Sequence, residues 1–157
     1  APHPVRFNEL IRTTWSQRIR SSYMKMFRIP VLPELFFSLF PRLLLKTAFG
    51  YTLQKEEIER YVQVFTDRNT LKSALNYYRA LFIKETEFSN RPLQHITNPT
   101  MVVWGEHDPF FDPRNWSNLD RFFTNKPTIM KAKETKHFPH WEQADWINEQ
   151  MAAFLRD

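Results

Sequence analysis

Two histidines three positions apart, His137 and His140, stand at the start of the last amphipathic stretch of the chain, KHFPHWEQADWINEQMAAFL. Imidazole has three uses in such a place: as a general base, as a metal ligand, or as part of a helix start. A base needs an orienting carboxylate, and Asp108 in VVWGEHDPF offers one about thirty residues earlier. A carboxylate that accepts from one imidazole nitrogen fixes the tautomer and leaves the other nitrogen free to take a proton. Zinc asks for more: a third ligand and usually two histidines four apart on one helix. Pro139 lies between these two, and the chain has no cysteine. No metal and no cofactor are expected. The plainer alternative is an Asp at a turn and a His that starts a helix.

The elements before these residues decide whether they can meet. TMVVW is a short β-rich run ended by Gly105, and PTIMKAKE is a second, alternating run. Asp108 follows the first and His137 the second. In open α/β sheets, sites assemble beyond the carboxyl ends of the strands, so neighbouring parallel strands would bring carboxylate and imidazole together. PRNWSNLDRFF is expected as a helix from Pro113, and the last helix is expected from about Pro139 to the end of the chain. The order is strand, helix, strand, helix, in a right-handed crossover. Two strands alone make a poor sheet, so this part calls for strands that the chain does not contain.

Upstream the spacing is helical. Phe7, Leu10, Ile11, Trp15, Ile19, Tyr23 and Phe27 mark one long helix ended by the pre-proline Ile29. Pro33 suits a first helical turn, and Thr52 and either Asn69 or Thr70 can cap two more helices. The apolar run VLPELFFSLFPRLLLKTAFG is interrupted by prolines and charges, and it reads as short buried helices and not as a membrane span. Two domains follow: residues 1–90, helical, and residues 91–157, α/β.

Composition narrows the chemistry. With 157 residues and 42% hydrophobic side chains, 15 of them Phe, the chain can bury a core. Its net charge of +5 comes from interspersed basic and acidic residues, so no nucleic-acid partner is expected. No targeting segment is expected at its start. Only Gly50 and Gly105 occur, against an average of about 7% glycine. Phosphate-cradling loops, dinucleotide fingerprints and Gly-x-Ser-x-Gly elbows all need more.

PTMVVWGEHDPF followed by HFPHWEQADWIN resembles the end of the α/β-hydrolase fold, where the chain order is nucleophile, acid, histidine. APHP resembles the segment that leads from the sixth strand into the cap domain. SSYMKMFRIPVLPE and ALNYYRALF resemble the cap of epoxide hydrolases, whose Tyr-x-x-x-Phe-x-x-Pro and Asn-aromatic-Tyr-Arg patterns supply two active-site tyrosines, here Tyr23 and Tyr78. The resemblance implies an α/β-hydrolase fold, C-terminal portion only, with residues 1–90 as cap and lead-in and residues 91–157 as the end of the core. It also chooses between the histidines. The family has a carboxylate, an Asn and an aromatic or Leu at set distances after its histidine; from His137 these fall on Glu142, Asn148 and Phe154. From His140 they fall on Asp145, Met151 and Asp157, and the last two do not fit. Lys136 departs from the small residue usual before that histidine.

What the resemblance implies chemically is hydrolysis of an epoxide to a vicinal diol through an alkyl-enzyme ester. Tyr23 and Tyr78 would stabilise and protonate the leaving alkoxide, His137 would activate water, and Asp108 would hold the imidazolium. The family's nucleophilic Asp lies on an elbow ahead of these motifs. The implied partners are therefore a small-molecule epoxide and a missing N-terminal half, in the same or a separate polypeptide, and the chain alone would be inactive. Two alternatives stand beside this. One is a dehalogenase, which would replace the tyrosine pair with Trp or amide donors; the other is a non-catalytic interaction module derived from the fold.

Overall fold

The computed structural model describes residues 2–49, 53–83 and 95–156, with the backbone alone for residues 81–83. The expected cap Thr52 and the first half of SNRPLQHITNP lie outside the described residues. The chain divides into two compact units, Ala1–Arg20 with Pro92–Asp157, and Ser21–Arg91.

In the first unit, β1 (Met101–Gly105) and β2 (Thr128–Ala132) pair in parallel, with Met101 opposite Thr128 and Gly105 opposite Ala132. A parallel bridge between Ile96 and Phe123 continues the pairing direction ahead of them. The strands come from β-branched and apolar runs, as the sequence leads one to expect. The connection between them does not. PRNWSNLDRFF forms two short 3₁₀ turns, Pro113–Trp116 and Asp120–Phe122, instead of one helix. Asn118 between them has φ 56°, a left-handed conformation that ends helical winding and that Asn tolerates. Leu119, Phe122 and Phe123 are buried there as a small core against Val5.

The first unit also takes the start of the long helix expected from Phe7 to Phe27, which is really three. These are α1 (Pro4–Thr13), α2 (Trp15–Arg20) and, in the second unit, α3 (Ser22–Phe27). Thr14 is extended and Ser21 leaves helical geometry. Both are residues whose side chains compete for backbone partners and favour breaks. The last helix is likewise two pieces, Pro139–Glu142 and Ala144–Phe154, parted at Gln143.

The second unit continues with α4 (Leu32–Leu39), α5 (Pro41–Ala48), α6 (Lys55–Thr66) and α7 (Arg68–Ile83). Leu45, Leu53, Ile58 and Val62 form its core, with Phe37, Phe49, Tyr61 and Phe65 packed around them. Gln54 and Glu57 form a reciprocal capping box at the start of α6. At α7 the cap is Asp67, whose Oδ1 accepts from the Thr70 N–H at 2.7 Å. Asn69 and Thr70, expected as caps, lie inside the helix. A further correction concerns α4 and α5: they are short, as expected, but one side of them is exposed and not buried, with Leu35, Leu39 and Leu43 each at 50% or more. Among the described residues no helix is long and apolar enough to cross a membrane.

Candidate active site

Gly105, the last residue of β1, has a role that the sequence did not announce. A Cβ there would lie 1.7 Å from the Lys136 carbonyl oxygen. Only glycine allows the chain leaving β2 to cross the end of β1 this closely. The ladder is extended beyond the strands by Glu106 N–H donating to Ala132 (3.0 Å) and His107 N–H to Thr135 (2.8 Å). The two loops are thus held side by side, and they carry Asp108 and His137.

Asp108 is buried, and its two carboxylate oxygens divide the work. Oδ1 accepts from the Phe110 and Phe111 N–H groups at 2.7 and 3.1 Å, an Asx turn that fixes the side chain. Oδ2 lies 2.9 Å from His137 Nδ1. A carboxylate only accepts, so Nδ1 carries the hydrogen and Nε2 is left as the basic atom. The imidazole sits among Phe110, Phe111 and Phe138, with ring centroids 4.7, 5.5 and 4.8 Å away. Glu142, one turn into the following helix, accepts from the Lys136 N–H with both oxygens, at 3.1 and 3.0 Å. That carboxylate five residues after His137 therefore fixes the backbone just before it, and Lys136 is accommodated with its side chain exposed.

A second layer steadies the Asp108 loop. Gln17 on α2 is fully buried. Its amide donates to the Phe110 carbonyl (3.0 Å) and accepts from Asp112 N–H (2.8 Å) and Asn115 Nδ2 (2.7 Å). Arg20 donates to the Asp108 carbonyl at 2.7 Å. Asp112 is buried and accepts from Arg114 and, at 2.6 Å, from the Ser16 hydroxyl. The Arg114 guanidinium, above all, holds its carboxyl well below the usual carboxylate range. Sequence reasoning missed Gln17, Arg20 and Asp112. A buried Gln in a helix of 6 residues has no spacing signature that would have marked it.

Beside the Asp108–His137 pair is a cleft of about 330 Å³, lined among others by Val103, Trp104, Phe111, Trp116 and Phe138. Trp104 and Trp116 stack there at 5.7 Å. His140 lines the same cleft, but it is exposed, in the first turn of Pro139–Glu142. His137 and His140 do not form a ligand set. Among the described residues, the donors close enough to share a cation are Glu106, His107 and Glu134. There Glu106 already pairs with Lys131, and His107 with Glu134.

In the helical unit, Tyr23 on α3 and Tyr78 on α7 meet edge to face, with centroids 6.0 Å apart and Phe27 packed on both. Burial pushes the Tyr78 phenol above its usual value, opposed by a hydrogen bond with the Tyr23 side chain. Arg79 explains why Arg follows Tyr78. It donates to the Phe27 and Ile29 carbonyls at the end of α3 (3.1 and 3.3 Å) and pairs with Glu34 on α4 (2.9 Å). Asn76 orients it from one turn earlier. The two tyrosines are in this way held by cross-links between the elements that bear them.

Residues 15–144 match the family described as alpha/beta hydrolase fold. The chain belongs to the α/β-hydrolase fold family. It is 31% identical to epoxide hydrolase 4 of Homo sapiens over 99% of this chain and 45% of that protein. Among solved structures, it is similar to an epoxide hydrolase from Bacillus megaterium in complex with an inhibitor, at 27% identity and a TM-score of 0.77, over 99% of this chain and 58% of that one. It is also similar to one of the novel epoxide hydrolases from metagenomes of hot environments, at 28% identity and a TM-score of 0.80, over 99% and 56%. This α/β-hydrolase chain thus spans about half the length of the proteins it matches. The described helices and the parallel pair β1–β2 are part of the α/β-hydrolase fold.

Proposed function

We propose that this chain carries the acid, the base and the two phenols of an epoxide hydrolase, and that a carboxylate outside its 157 residues is the nucleophile. Residues 1–90 are the cap and the segment leading into it, and residues 91–157 are the end of the core. The nucleophile attacks one epoxide carbon, the C–O bond breaks, and the ring oxygen departs as an alkoxide. Tyr23 and Tyr78 hydrogen-bond to that oxygen, and one of them gives it a proton. Burial favours the neutral form of Tyr78, which is the form that can donate. His137 Nε2 then takes a proton from water, and the resulting hydroxide attacks the ester carbonyl. The ester collapses to a carboxylic acid whose proton passes to the departing alkoxide, so the diol leaves. The imidazolium, stabilised meanwhile by Asp108, returns its proton to the tyrosinate. Water and epoxide have become a vicinal diol.

The observation that carries this is the pair of hydrogen-bonded phenols in a chain that also holds an Asp–His pair at 2.9 Å. Dehalogenase chemistry has no use for two phenols. A lost donor to a developing oxyanion costs about 2.7–4 kcal/mol in other enzymes, and two donors partly substitute for each other. In the full-length protein, Tyr23→Phe or Tyr78→Phe should slow ring opening about ten- to a thousandfold, and the double variant should be nearly inactive. Rapid mixing separates ring opening from ester hydrolysis, and the second step should change less. Ring opening at the parental rate in the double variant would leave the tyrosines as packing only.

A further inference from the structure

Eight of the seventeen exposed large hydrophobic side chains among the described residues fall between Ile29 and Leu43, so exposure is concentrated and not scattered. Their spacing is helical. Leu32, Leu35, Phe36 and Leu39 share one face of α4 and are all exposed. The opposite face points inward: Pro33 is buried, and Phe37 packs on Phe27 and Phe65 at 6.3 and 6.0 Å. Phe40 continues the exposed side into α5, where Leu43 is 57% exposed. At the head of α4, Leu32 N–H donates to the Pro30 carbonyl at 2.8 Å across Val31, which has φ 70°. That is a strained γ-turn at a β-branched residue, and it leaves Val31 72% exposed.

Charge says what kind of surface this stripe meets. In sequence, Lys25 and Arg28 precede the apolar run and Arg42 and Lys46 follow it; all four are exposed, and Arg28 and Arg42 also make interactions within the protein. The one acid between Ser21 and Phe49 is Glu34, turned to Arg79 at 2.9 Å. Arg42 shares its charge with Glu59, but the segment as a whole stays basic. Apolar side chains bracketed by cations fit the interface of an anionic bilayer, with the apolar face among the acyl chains and the cations at the headgroups. A second copy of the chain fits less well, because an isologous contact would bring the same cations together. We propose that the exposed face of α4 and α5 docks this protein on the surface of an anionic membrane, lying on it without crossing it.

The test uses the full-length protein and vesicles of phosphatidylcholine with and without phosphatidylserine. Cosedimentation should require phosphatidylserine and weaken with added salt. Leu35→Gln with Leu39→Gln should abolish it, and Lys25→Ala and Lys46→Ala should each lower affinity about fivefold. These positions are exposed, and unchanged thermal unfolding of the variants checks that they fold. Leu39→Trp should gain fluorescence that brominated acyl chains quench, beyond the quenching seen with the parent. Vesicle binding that the double Gln variant keeps undiminished would overturn the proposal. So would a parent that ignores both vesicles, or that forms a dimer which the double Gln variant abolishes. Epoxide turnover in detergent-free buffer should survive the double Gln change, so loss of membrane docking and loss of the enzymatic function are read separately.

Discussion

One methyl group on Gly105 is the smallest change that should separate Asp108 from His137. The added Cβ meets backbone at 1.7 Å, and backbone cannot rotate away as a flexible side chain does. Gly105→Ala should therefore cost upwards of about 2 kcal/mol, above the roughly 1 kcal/mol typical of single substitutions, measured by denaturant unfolding. At this scale Asp108, His137, Tyr23 and Tyr78 were legible as candidates, because a strand end and a family pattern each leave local marks. Gly105 was legible only as the end of a strand. Its close approach is to a residue about thirty positions later, and no local window contains that contact. The choice of His137 over His140 came from counting to the end of the last helix. Glu142, one of the three positions in that pattern, is bound to the backbone ahead of His137.

At the scale of elements, the strands were legible and the breaks in the helices were not. TMVVW and PTIMKAKE are read as strands from their β-rich and alternating composition, whereas Thr14, Ser21 and Asn118 are single residues inside helical spacing, and the break at Gln143 goes with a hydrogen bond to the distant Lys133 carbonyl. The α2 piece likewise has distant partners, because its Gln17 serves the loop 110–115 from within a helix. Asp112 in the same network gives a pH prediction. Its folded-state carboxyl is held far below the ordinary 3.8. A depressed folded value means that the unfolded chain binds the proton more readily, so this contribution to stability is present above about pH 4 and lost as pH falls below it. Acid should therefore destabilise the first unit, and Asp112→Asn should flatten that part of the stability–pH curve while lowering stability at pH 7. Parallel curves for parent and variant would show that Asp112 is not held this way. Tyr78 has the opposite sense. Its raised phenol favours the neutral form, so its contribution is intact below about pH 10 and is lost as pH rises further.

At the scale of the whole molecule, β1 pairs with β2 on one edge and, among the described residues, with no further strand on the other. An apolar strand with an open edge is a template for unwanted pairing. The 157-residue chain on its own should be poorly soluble and show no epoxide turnover, and both are measured on purified material by light scattering and diol formation. That these strands call for others was legible, since two strands alone make a poor sheet, and the chain is part of the α/β-hydrolase fold. That one side of α4 and α5 lies open was not, because an apolar run reads the same whether it faces a core or a bilayer. The measurement that bears most directly on the reaction is the intact mass of a His137→Gln variant of the full-length protein after exposure to an epoxide. If His137 acts only after ring opening, the mass should rise by that of one epoxide and stay raised, while His140→Gln should turn over substrate without accumulating the adduct. A His137→Gln protein that forms diol at the parental rate, or an adduct that persists in His140→Gln instead, would contradict the assignment of His137 as the base.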